Sequence, residues 1–141
     1  MARKRGKSKA PRRSRPANRR AKLSGALRVA DNLVGVSVWY MFLTSLILLI
    51  SVQASPSYTL SNLSSYGWDL TKGNLSMLSI AWILLAGFTG FSNKFARASG
   101  QRRHVFGLFL LGVLAAFLGR PEAAALTVIA SIIYFAKSRG N

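Results

Sequence analysis

The chain has 141 residues, half of them apolar, and carries 20 Lys and Arg against 3 Asp and Glu. A soluble domain at net +17 would repel itself, and a half-apolar surface would aggregate, so a simple globular domain is excluded. The two properties coexist because they are segregated: the charge is concentrated in residues 1–28 and the apolar residues beyond Leu33. Cysteine is absent, which removes disulfides, thiolate chemistry and Cys-based metal sites.

Residues 1–23 form a basic arm. Up to Lys22 the arm has no Val, Ile, Leu, Phe, Tyr or Trp, so it has nothing to bury and is expected to be disordered when unbound. Pro11 and Pro16 interrupt any helix there. The arm lacks the apolar run of a secretory signal and the amphipathic pattern of a transit peptide. Residues 24–32, SGALRVADN, are expected to form a short juxtamembrane helix capped by Ser24.

Four uncharged apolar stretches follow, at 33–52, 75–92, 105–119 and 123–136. Twenty residues of helix at about 1.5 Å each reach about 30 Å, one hydrocarbon thickness. The first stretch has that length and the second is close to it. The last two are short and cross only if Arg102, Arg103, Lys137 and Arg139 snorkel to the interfaces. The alternative is a re-entrant hairpin that does not cross. Gly119 suits the end of one helix, and Pro121 with Glu122 suits the first turn of the next, giving a tight hairpin. Residues 53–74 form the one long loop expected, with Tyr58, Tyr66 and Trp68 at headgroup level. The expected fold class is therefore an all-α integral membrane protein of four transmembrane helices (33–141), the last two a tight hairpin, behind a disordered basic arm.

With four spans, the arm, the loop 93–104 and the tail 137–141 share one side, where all but Lys72 and Arg120 of the twenty basic residues lie. The positive-inside rule then places both termini on the cytoplasmic or interior side.

In the arm, Arg3, Lys4, Arg5, Lys7, Lys9, Arg12, Arg13, Arg15, Arg19, Arg20 and Lys22 give a positive charge at about every second position. Such a chain neutralises phosphates, and no aromatic is interleaved for base stacking, so binding to nucleic acid is expected to be independent of base sequence. The competing partners are anionic lipid headgroups or an acidic protein; the plainest reading is a topology signal, and a nuclear-localisation signal is a further one.

Small residues recur at helical spacing: Ala86 with Gly90, Gly112 with Ala116, Ala115 with Gly119, and Ala123, Thr127 and Ser131 together. Such stripes let membrane helices approach closely, between neighbours or between subunits, although small residues are common in membrane helices in any case.

No charge lies inside an apolar stretch, which argues against ion or proton transport. The carboxylates Asp31, Asp69 and Glu122 are dispersed, and no catalytic pair, metal cluster or cofactor motif is present in the sequence, so neither enzyme activity nor a cofactor is expected. Asp31 reads as a helix cap or a partner for Arg28, and His104 as interfacial. The sequons at Asn62 and Asn74 carry no weight in a Ser- and Asn-rich loop. The expected function is structural: a membrane shell protein, as in a membrane-containing virion, whose arm meets the genome and whose body forms a homo-oligomer or part of a larger assembly. The alternatives are an accessory subunit of a larger membrane complex and a holin-type pore-forming protein.

Overall fold

A computed structural model describes residues 25–65 and 67–138. The basic arm, its eleven Lys and Arg, the Ser24 cap and Arg139 lie outside the described residues. Within them are five helices: α1 (Gly25–Ala54), α2 (Pro56–Ser65), α3 (Lys72–Ser99), α4 (Arg102–Phe117) and α5 (Pro121–Lys137). No strand occurs among the described residues.

The boundaries follow local chemistry. The juxtamembrane segment and the first apolar stretch form one helix, because no proline interrupts the backbone between Gly25 and Ala54. At about 1.5 Å per residue, α1 is about 45 Å long. It stops at Ala54 because Ser55 precedes Pro56, and a residue before proline is steered out of the α region. Pro56 then opens α2, where its missing N–H costs nothing. The stretch 53–74 is thus partly helical rather than a continuous loop. In α2 the hydroxyls of Thr59, Ser64 and Ser65 bond back to carbonyls three or four residues earlier.

Helix α3 outruns its apolar stretch at both ends. Thr71 caps its start, accepting the Asn74 N–H at 3.2 Å. Its end waits for Gly100, which takes a left-handed φ of 61° and donates its N–H to Ala96 O at 3.1 Å. The expected loop 93–104 therefore shrinks to a two-residue link, Gly100–Gln101. Between α4 and α5, Gly119 sits at φ 77°. Its N–H reaches Ala116 O at 3.0 Å and that of Arg120 reaches Ala115 O at 2.8 Å, a Schellman ending. Pro121 is the first helical residue of α5.

Around the bundle the order is α1, α3, α4, α5: α1 and α4 each pack on both α3 and α5, and α2 packs on α1. Neighbours are antiparallel. Asp31, early in α1, meets Arg97, late in α3. Ala30 and Val34 share a buried cluster with Ala130 and Tyr134, late in α5.

Large apolar side chains face outward as well as inward. The interior is rich in small and hydroxyl residues, among them Ala86, Ala115, Ala123, Ala130, Ser37, Ser45, Thr89 and Thr127. The exterior carries Trp39, Ile47, Leu84, Phe88, Phe106, Leu110, Phe117, Ile132 and Phe135, and Phe117 is 84% exposed. Two helices, α1 and α3, are long and apolar enough to cross a membrane.

Candidate functional site

Helix alternation sorts the described charges into two ends. One end receives the start of α1, the end of α3, the start of α4 and the end of α5. It gathers Arg28, Lys94, Arg97, Arg102, Arg103 and Lys137 against the single carboxylate of Asp31. The opposite end holds Lys72 and Arg120 with Asp69 and Glu122, and balances to zero.

At the basic end, Asp31 is neither a cap nor the partner of Arg28. It lies a turn and a half inside α1, where Arg97 Nη1 donates to one carboxylate oxygen at 2.9 Å and Asn93 Nδ2 to the other at 2.8 Å. The pair joins α1 to α3. Arg97 is 46% exposed, so solvent screens the pair and its contribution is that of a surface ion pair. His104 lies with its ring centroid 5.8 Å from that of Phe95. Among the described residues no group of three His, Asp or Glu is placed to hold a metal ion.

In mid-bundle the small-residue positions divide. Ala123, Thr127 and Ser131 are buried along α5. Ser37 of α1 donates to Ala123 O at 2.9 Å and lies 2.8 Å from Thr127 Oγ1, so a hydroxyl seam joins α1 to α5. Gly112 of α4 faces the other flank of the same stripe: a methyl group there would stand 3.0 Å from Val128 Cγ2 and 3.3 Å from Thr127 Cβ. Ala86 is buried, and Gly90 lies opposite Val38. Ala116 is exposed and takes no part in the interior; its neighbour Ala115 is buried. Gly112→Leu is expected to destabilise the purified protein by about 1–3 kcal/mol through overpacking, read as an earlier unfolding transition in detergent. Leu110, half exposed on the same helix, should tolerate exchange for Ile with little change.

At the neutral end, Arg120, counted in the sequence only as one of two basic residues on that side, is only 8% exposed. Its guanidinium carbon lies 3.8 Å from the centroid of the Trp82 ring. Burial holds its pKa below the ordinary arginine value, against the opposing influence of Tyr40 and Glu122. Trp82 Nε1 also donates to Leu118 O at 2.8 Å, satisfying a carbonyl that the end of α4 leaves without a helical partner. Trp68 closes the cluster, edge-on to Trp82 at 6.3 Å and seated on Gly119, where a Cβ would come within 2.6 Å of its ring. Trp82, Arg120 and Ser37 carry these contacts, and no charge pattern or small-residue spacing singled them out. The one available signal was an indole deep in an apolar helix, whose N–H must find an acceptor.

Comparison with protein-family models, with curated proteins and with solved structures gave no match.

Proposed function

We propose that the protein is a structural membrane protein whose four long helices, α1, α3, α4 and α5, cross the bilayer, and whose cationic N-terminal arm binds nucleic acid on the inner side. The observation that carries the reading is the division of charge between the two ends of the bundle. The basic end is the one at which α1 begins, so the arm continues a charge pattern present in the helices themselves. Under the positive-inside rule that end, with both termini, faces the cytoplasm or the interior of a particle. The apolar exterior supports four crossings, because the exposed large apolar residues extend over α4 and α5 as well as α1 and α3. At about 24–26 Å, α4 and α5 fall short of the hydrocarbon core, a gap that Arg102, Arg103 and Lys137 close by snorkelling.

The role is architectural rather than catalytic, with the bundle as one tile of a membrane shell or complex and the arm as its contact with phosphate. A membrane-containing virion is the setting that uses both properties. An accessory subunit of a larger membrane complex uses the same bundle with a different anionic partner, and a holin uses it as a pore; fixed stoichiometry with larger proteins marks the first and killing of the expressing cell the second.

Topology is tested by single cysteines. Cysteine at Ser8 or Ser138 should be shielded from an impermeant thiol reagent in intact cells, and cysteine at Ser61, exposed on α2, should be labelled. Labelling at Ser138 but not at Ser8 would mean an odd number of crossings and would sink the four-span arrangement.

A further inference from the structure

On the outside of the bundle, at its basic end, α4 and α5 enclose a groove of about 250 Å³ lined by Val105, Phe106, Phe109, Ser131, Ile132 and Phe135. Its wall is almost wholly apolar. The one hydroxyl present, that of Ser131, is occupied in donating to Thr127 O at 2.8 Å. An apolar cavity of about 150 Å³ already holds a benzene ring, so this volume accommodates a length of hydrocarbon chain. Phe106, Ile132 and Phe135 are each more than half exposed, leaving the groove open to its surroundings. At its mouth the Arg102 guanidinium carbon stands 5.2 Å from the Phe135 ring centroid. Arg102 is exposed and has no carboxylate partner among the described residues. Arg103 and Lys137 lie at the same end.

We propose that this groove binds one acyl chain of an anionic phospholipid, with Arg102 taking the headgroup phosphate. The inference rests on the four-span reading, which sets the groove within the inner leaflet and Arg102 at its headgroup level. An arginine fork suits phosphate oxygens. The surplus of positive charge at this end attracts a headgroup with net negative charge and repels the ammonium of a zwitterionic one, and that difference selects the occupant.

The test is native mass spectrometry of the full chain, extracted in mild detergent and offered equal amounts of phosphatidylglycerol and phosphatidylcholine. Phosphatidylglycerol should be retained in preference. Arg102→Gln should lower that preference about fivefold, the worth of one basic residue at an anionic surface. Ile132→Trp, at a surface position that fills the groove, should remove retention, and Lys94→Gln, a charge of the same end on α3, should change little. Equal retention of the two lipids, or a preference that survives both Arg102→Gln and Ile132→Trp, overturns the proposal. A nitroxide on Ile129→Cys in liposomes separates the two layers of the argument. If it reports lipid while no preference is found, the groove assignment alone is wrong. If it reports water, the four-span reading fails and the groove assignment with it.

Discussion

Deletion of residues 2–22 is expected to abolish nucleic-acid binding while leaving the protein in the membrane. Eleven Lys and Arg lie in that segment, and it contains no carboxylate to neutralise them. Each phosphate neutralised contributes a slope of roughly 0.7–0.9 to the fall of log affinity with log salt. If half of the charges engage, raising salt from about 50 to about 200 mM weakens binding by a few hundred- to a thousandfold. Base sequence should matter little, because the arm offers no aromatic for stacking. Fluorescence anisotropy with two unrelated oligonucleotides at several salt concentrations reads both effects. Membrane insertion should survive the deletion, since α1 begins at Gly25. If the intact protein captures anionic liposomes through the arm yet shows no affinity for DNA or RNA at low salt, genome contact is wrong and the arm anchors to lipid or protein.

Trp82→Ala is expected to be the most damaging single substitution in the bundle. Trp82 is the largest fully buried side chain among the described residues, and it meets the Arg120 guanidinium, the edge of Trp68 and the Leu118 carbonyl. Truncating a buried Trp costs about 3–5 kcal/mol. The loss has a second part here, because Arg120 Nε and Nη2 are buried without hydrogen-bond partners among the described residues, and the indole face helps to offset their desolvation. Trp82→Phe separates the contributions. It keeps an aromatic face for Arg120, loses the bond to Leu118, and should cost about 1–2 kcal/mol. Denaturant titration of the purified protein in detergent measures both. A cost below about 1 kcal/mol for Trp82→Ala would show that the neutral end is not locked by this residue.

Much of the architecture is determined by the sequence alone. Apolar runs without proline make the long helices, the proline at position 56 ends the first of them, and Gly119 with Pro121 makes the turn between α4 and α5, because each acts on the backbone within a few residues. The segregation of charge is likewise a property of the chain, and it becomes the contrast between the two ends once the helices alternate in direction. Helix ends were less legible. Both α1 and α3 continue past their apolar stretches, since a helix stops where the backbone is broken or capped and not where hydropathy falls; Thr71 and Gly100 mark those limits for α3. Only the tertiary structure decided which faces turn inward. A helix that is apolar on all sides gives no periodic signal of its buried face, so spacing alone could not tell Ala115, which is buried, from Ala116, which is exposed. The same holds for the partners found across the bundle. Asp31 meets Arg97 and Asn93, 66 and 62 residues away, Ser37 meets Thr127, and Arg120 lies under Trp82, because helix packing brings together positions whose separation along the chain carries no information about contact.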